Sequence, residues 1–263
     1  MGVYVAALAI CAAIALAAGD LGVLWRLALF TEAAEGAAAT WPNVLVVLLT
    51  GIAWAWALWQ CLRGPLAGPP PELDRDTRRL RVALYAAAAS WLLYLLVPSW
   101  PWWAEALDAV VMCVVVLLFQ PVLGRNLEHA GQARVTGVLG YGGAAAIKTL
   151  DVLGQPVPEL FSLICGLAAL IWTVLVLRAQ RWDRRWQRAT VRYGIAALVA
   201  PLVLGLVGSL LASVGNLHGA ATAAAGAAGA LMVIWLVRSA HELADPHHQP
   251  ASPLPLPVRP PTP

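Results

Sequence analysis

Seven long apolar segments constrain this chain more than any other feature of its sequence. They lie near residues 3 to 19, 42 to 62, 82 to 98, 106 to 124, 160 to 177, 193 to 213 and 219 to 237. A helix needs roughly 20 mainly apolar residues to cross a bilayer. Hydrophobic residues make up 60% of the chain and charged residues only 12%, against about a quarter charged in soluble domains. The sequence therefore predicts an all-α, polytopic helix bundle in the cell membrane.

The distribution of basic residues predicts the topology and an additional helix. Arginine-rich stretches follow the second segment and the fifth segment, and such stretches are cytoplasmic. Arg125 and Arg134 follow the fourth segment and place that end inside as well, although the fifth segment must also end inside, so one crossing is missing between the two. The weakly hydrophobic residues 135 to 153 can supply it, either as an eighth spanning helix or as a re-entrant segment. With eight helices both termini are cytoplasmic, and fifteen of the seventeen basic residues lie inside.

The two halves of the chain resemble each other weakly but in a consistent order. Matched helix ends are Gly19 to Gly22 with Asp151 to Gly154, Cys61 to Arg63 with Val176 to Arg178, and Arg125 to His129 with Arg238 to Glu242. This order indicates two four-helix repeats, residues 1–130 and 131–245, in the same orientation in the membrane. The alternative is that the positive-inside bias alone makes cytoplasmic helix ends look alike.

Three segments need separate interpretation. Residues 64 to 74 form a proline-rich turn, and residues 246 to 263 form a proline-rich cytoplasmic tail that we expect to be disordered. Ala15-Leu16-Ala17 resembles a signal-peptide cleavage site. However, the first segment lacks a basic n-region and is long for a signal peptide. We expect it to be a membrane helix, with cleavage as the alternative.

Lys148 and Asp151 are the most distinctive polar pair within the apolar part of the chain. Lys148 is the only lysine, and a spacing of three places both residues on one helix face. They are candidate substrate-binding residues, or they snorkel to the outer surface. Tyr141 precedes them within Gly140-Tyr141-Gly142-Gly143. These glycines predict either an interrupted helix that shapes a substrate site or close helix packing.

Glu105 and Asp108 open the fourth segment from the outside. Acids in a first helical turn are favoured by the helix dipole, which gives both a structural interpretation. If the helix begins earlier, Asp108 moves inward and becomes a proton-binding carboxyl. Together with Asp151, these two acids are the catalytic candidates if the protein is an enzyme.

Aromatic residues inside the segments are the remaining candidates for a substrate site. Trp56 and Trp59 lie about one turn apart on one face, as do Trp91 and Tyr94. They predict either a lipid-facing surface or the aromatic wall of a cavity.

The sequence predicts no metal and no cofactor. His241, His247 and His248 lie at or beyond the end of the last helix, and His129 and His218 are isolated. Acids interspersed among the arginines argue against nucleic acid as a partner. The expected partners are the bilayer, anionic lipid head groups at the arginine-rich stretches, and a small-molecule or lipidic substrate.

Three hypotheses follow for function. The first is a small-molecule transporter or a transport-associated protein, in which Asp151 or Asp108 carries a coupling proton. The second is a membrane enzyme that uses an acid to start cyclisation or isomerisation of an isoprenoid, with tryptophan faces stabilising the cation. The third is a non-catalytic subunit that acts through its arginine-rich stretches and its tail.

Overall fold

The described part of the chain is all-helical, as the sequence predicts. The computed structural model describes residues 2–29, 39–62, 73–96, 101–123, 130–183, 185–212 and 218–244, and no strand occurs among them. The tail from residue 246 and most of the proline-rich turn lie outside these ranges. The helices are α1 Gly2–Ala18, α2 Gly22–Leu29, α3 Trp41–Leu62, α4 Arg75–Leu96, α5 Trp102–Leu123, α6 Ala130–Gly137, α7 Gly143–Val152, α8 Glu159–Trp182, α9 Arg188–Ala212 and α10 His218–Glu242.

Several of these helices are suited to a membrane. Within the described residues, three are long and apolar enough to cross it, namely α3, α8 and the Ala106–Leu123 part of α5. Large apolar side chains point outward along the bundle, for example Phe161 and Leu202, which are 56% and 65% exposed. An outer surface of this kind suits hydrocarbon better than water. Membrane insertion is thus supported, whereas the number of spans and their orientation remain predictions.

Helix ends extend further than the apolar segments suggest. We expected the arginine-rich stretches to be loops, but Arg75 to Arg81 form the first turns of α4, and Arg178 and Arg181 lie on α8. Arg188 and Arg192 similarly belong to α9. A hydropathy search finds only the apolar part of a helix. The helix itself can continue at either end through polar residues that lie in water.

Two helices occupy the centre of the bundle. α10 packs against α3, α4 and α9, and α5 packs against α4, α6, α7 and α8. Phe119 of α5, Trp172 of α8 and Trp235 of α10 share the main core cluster. A second cluster joins α1, α2 and α3 through Leu8, Leu24 and similar residues.

The eight-residue helix α2 is an element that we did not predict. Gly19, with a φ of 72°, ends α1, and the Asp20 carboxylate accepts a hydrogen bond of 2.8 Å from the Gly22 backbone N–H. Leu24 and Trp25 are buried against the neighbouring helices. Because eight residues cannot cross a bilayer, a search for spanning segments passes over this helix.

Residues 130 to 152 form one continuous helical stretch rather than a broken helix. A five-residue π-helical turn, Val138–Gly142, joins α6 to α7. A Cβ atom at Gly140 would lie 2.5 Å from the backbone nitrogen of Ala169 on α8, and one at Gly143 would meet the Cys165 sulfur. These contacts support the packing interpretation of the glycines. A membrane crossing by this stretch stays a prediction.

Replacing Gly140 with alanine is expected to lower the thermal stability of the purified protein. The added methyl group would meet the α8 backbone, and overpacking of this kind costs about 1–3 kcal/mol. Gly131 of α6 is the matched control, since nothing lies within 4 Å of its Cβ position. Gly131→Ala should be neutral or slightly stabilising, because alanine favours helix. Equal melting temperatures for the two variants in detergent would contradict the close approach.

Candidate functional site

Asp108 lies further inside its helix than the apolar segment alone suggests. α5 begins at Trp102, so Asp108 sits at the end of the second turn, about 9 Å along the helix from Trp102. Its carboxylate accepts a hydrogen bond of 2.6 Å from the Ser90 hydroxyl on α4, and its side chain is half-buried. The helix thus begins earlier than the apolar segment, and the position of Asp108 within the membrane stays a prediction. A carboxyl group within a spanning helix is costly and usually functional.

Tyr141 lies between α5 and α8, on the π-helical turn. Its ring meets the Trp172 ring edge-on, with centroids 5.5 Å apart. α5, which carries Asp108, packs against the π-helical turn that carries Tyr141. The structure thus brings Tyr141 and Asp108, which we predicted separately, into one region of the bundle.

Lys148 and Asp151 lie apart from this region. Both side chains are exposed on the last two turns of α7, and Lys148 is about 10 Å along the helix from Tyr141. Exposure at the helix end is what the snorkelling interpretation expects. Of the substrate-binding residues predicted between positions 135 and 153, Tyr141 is half-buried, whereas Lys148 and Asp151 are exposed.

The predicted aromatic residues also divide between different surroundings. The Trp56 indole N–H donates to the Tyr193 hydroxyl on α9 at 3.2 Å, and Trp56 and Trp59 are each 43% exposed. Trp91 is half-buried against the main core cluster and directly follows Ser90. The exposure of Trp56 and Trp59 agrees with the interpretation that they face lipid. The side chains of Tyr94 and Glu105 lie outside the described part of the structure.

A polar cluster at the ends of three helices, with Gln60, Thr190 and Glu242 buried, is the largest feature that was not predicted from the sequence. We call it the polar junction, and it comprises Gln60 of α3, Gln187, which precedes α9, Thr190 of α9, and Arg238 and Glu242 of α10. The Arg238 guanidinium donates to the Gln60 side-chain oxygen at 2.9 Å and to the Thr190 hydroxyl at 3.2 Å. It also reaches the Glu242 carboxylate at 3.4 Å. One arginine therefore connects α3, α9 and α10.

Glu242 anchors the other side of this junction. Its carboxylate accepts hydrogen bonds from the Thr190 hydroxyl and, at 2.8 Å, from the Gln187 backbone N–H. It lies beyond residue 237, where the last apolar segment ends. Burial raises the pKa of Glu242, although the hydrogen bonds from Thr190 and Gln187 and the charge of Arg238 oppose that rise. The junction thus holds a carboxyl group that is harder to ionise than one in water.

His241 borders the junction on the side of α4. Its ring packs against Tyr85 with centroids 5.6 Å apart. Burial lowers the pKa of His241, and the charges of Arg81 and Arg238 lower it further. Burial and the two neighbouring cations thus favour the neutral form of the imidazole.

Two further contacts tie α8 to the central helices. The Gln180 amide accepts from the Trp235 indole N–H at 3.0 Å and donates to the Ser239 hydroxyl at 3.2 Å. Arg185, which follows α8, pairs with Asp183 and donates to the Val122 backbone carbonyl near the end of α5 at 2.6 Å. All of these contacts lie where helices end, on the side that carries the arginines.

Comparison with known proteins adds no constraint. No family model, no curated protein and no solved structure matches the chain. Function must therefore be inferred from these contacts.

Proposed function

We propose that this protein is an eight-span transporter of the cell membrane that moves a small molecule between two four-helix halves, with both termini in the cytoplasm. The observation that carries the proposal is the contact between Arg238 and Gln60. It fastens the last helix of the second half to the second helix of the first. Hydrogen bonds between polar side chains can be exchanged for water when the halves separate, as alternating access requires.

Features of both halves support the four-plus-four arrangement. Gly19 and Gly154 have φ values of 72° and 69°, and each follows the first helix of its half. The fourth helix of each half also packs on the second helix of the other. Phe119 of α5 meets Trp172 of α8 at 6.0 Å between ring centroids, and Ile234 of α10 shares a cluster with Trp54 of α3. In this arrangement α2 is an addition to the first half.

Asp108 and Tyr141 are the residues that we assign to coupling. In the proposed mechanism Asp108 binds a proton from the outer side while Ser90 holds the carboxyl group in place. Neutralising this charge removes much of the penalty for holding it in an apolar surrounding, and so favours the conformation in which Asp108 is more enclosed. Because a ligand shifts an equilibrium only by its different affinity for the two states, this change in burial couples the proton to the motion.

The proposal is tested by mass spectrometry of cells and medium, measured separately, with and without expression in the native background. A transporter changes the ratio of inside to outside amounts of one molecule and leaves its mass unchanged. Loss of one mass with the appearance of another would instead establish catalysis. If expression changed neither the inside-to-outside ratio nor the masses present, the transport proposal would be contradicted.

Lys148→Ala and Asp151→Ala are each expected to abolish substrate movement while leaving the protein inserted. Both residues lie at the outer end of α7, where the proposed substrate enters, and each supplies a charge there. Gln155→Ala is the matched control, because Gln155 is exposed just beyond the same helix. The measurement is the inside-to-outside ratio at equal amounts of protein in the membrane. Full activity of both variants would remove the pair from the site.

One observation favours the enzyme alternative. Ser90 of α4, whose hydroxyl binds Asp108 of α5, is followed by the aromatic residue Trp91, which packs against the main core cluster. A carboxylic acid kept neutral by its surroundings could protonate an alkene, and an indole face could stabilise the resulting cation. The substrate would be an isoprenoid, cyclised or isomerised. A substrate-dependent product that disappears in Asp108→Asn would favour this alternative over transport.

A further inference from the structure

A groove between α4 and α5 lies beside the arginines at the cytoplasmic end of α4. Its volume is about 550 Å³, which falls within the usual range for ligand pockets. Arg78 and Arg79 lie at one end, and Val82, Ala83, Val114 and Leu118 form the rest of the lining. The lining is almost entirely apolar, so the two exposed arginines contribute their aliphatic stems to the groove, and their charged ends stand beside it.

The spacing of these residues gives the groove a direction. Arg78 and Val82 are four positions apart on α4, and Val114 and Leu118 are four positions apart on α5, so each pair lies along one helix face. Val82 is 63% exposed and Val114 is 43% exposed. The apolar part is thus open sideways, where a protein in a bilayer meets lipid tails, and it leads to the arginines at the cytoplasmic end.

The charges at this end favour an anion. Both arginines are exposed, and no carboxylate contributes to the groove lining. The nearby Asp74 instead accepts a hydrogen bond from the Thr77 backbone N–H at 3.2 Å, at the start of α4. An acyl chain would cover the exposed valines, and a phosphate would meet two guanidinium groups that can bind it in a bidentate manner.

We propose that this groove is a binding site for one anionic phospholipid of the cytoplasmic leaflet, with its phosphate on Arg78 and Arg79 and one acyl chain along Val82 and Val114. The site needs insertion in a membrane but does not depend on transport. It differs from the general attraction between arginine-rich stretches and acidic membranes, because one defined groove supplies the apolar wall and the two exposed arginines at its end supply the charge.

The test is native mass spectrometry of the detergent-purified full chain with added phosphatidylglycerol or phosphatidylcholine of identical acyl chains. Wild type should retain one phosphatidylglycerol in preference to phosphatidylcholine. Arg78→Gln/Arg79→Gln should bind phosphatidylglycerol about 30-fold more weakly, since each arginine near the surface contributes about one kcal/mol. The matched control is Arg188→Gln/Arg192→Gln, which removes two exposed arginines of α9 and should retain the lipid.

Two further outcomes would overturn the proposal. If Arg78→Gln/Arg79→Gln and Arg188→Gln/Arg192→Gln lost the lipid equally, binding would depend on the general positive charge of the cytoplasmic surface and not on this groove. If inorganic phosphate displaced the lipid and bound as tightly as the lipid does, the site would be one for free phosphate, and the apolar wall would contribute nothing to binding. Val114→Phe tests that wall directly, because it fills the groove without changing charge and should weaken lipid binding while preserving the melting temperature.

Discussion

Asp108→Asn is expected to reduce substrate movement to the level of cells that lack the protein. Asparagine preserves the shape of the side chain and can still accept the hydrogen bond that Ser90 donates at 2.6 Å. It cannot bind and release a proton, so a step that depends on neutralising Asp108 stops. The substitution removes a charge from an apolar helix, and we therefore expect folding and insertion to be preserved or improved.

The measurement is the inside-to-outside ratio of the transported molecule, with the amount of inserted protein determined in the same cells. Ser90→Ala is the informative companion, because it removes only a hydrogen bond to a charged group, worth about 1.5–3 kcal/mol. It should reduce activity without abolishing it. If Asp108→Asn moved the substrate at the rate of wild type, the coupling role of Asp108 would be wrong, and the activity of Ser90→Ala would not change that conclusion.

The all-helical fold was predictable because lipid and water impose different demands on the chain. Segments 42 to 62 and 160 to 177 are long apolar runs, and they correspond to α3 and α8. Their one proline, Pro42, lies in the first turn of α3, where proline is tolerated. The ends were less predictable. The Arg75 to Arg81 stretch is helical although it is polar, since the helix continues beyond the apolar part that hydropathy detects.

The weakest predicted segment shows why composition alone misjudges a packed helix. Residues 135 to 153 appear marginal because glycine and alanine replace large apolar residues. In the structure Gly137, Gly140 and Gly143 face Trp172, Ala169 and Cys165 of α8. A helix packed closely against another helix needs small residues at the contact. Hydropathy scales score glycine and alanine as only weakly hydrophobic, so such a helix is underestimated.

The candidate site was only half predictable. Asp108 and Tyr141 could be selected because charged and aromatic residues within apolar runs are conspicuous, and the structure places them in one region. The junction was missed because its partners are far apart in sequence, as with Gln60 and Arg238, which are separated by 178 positions. The available signals were Gln60 and Gln180, two uncharged amides near the ends of apolar runs, and the spacing of four between Arg238 and Glu242.

Arg238→Ala is expected to destabilise the junction by about 3 kcal/mol and to expose the end of α3 to solvent. It removes the hydrogen bonds to Gln60 and Thr190, and it leaves Glu242, which is only 7% exposed, without its cation. Breaking a buried pair by removing one partner costs about 3–5 kcal/mol, and the lower end applies because the Arg238 side chain is 22% exposed. Thermal melting in detergent measures this loss.

Cys61 provides a readout that separates opening of the junction from a simple loss of stability. It directly follows Gln60 and is half-buried. With the other cysteines replaced by alanine, its alkylation by a maleimide should be faster in Arg238→Ala than in wild type, at a temperature where both remain folded. Arg192→Ala, which removes an exposed arginine of α9, should change neither property. A lower melting temperature with unchanged Cys61 labelling would make the junction a fixed structural clamp, and the gating role that we assign to it would be wrong.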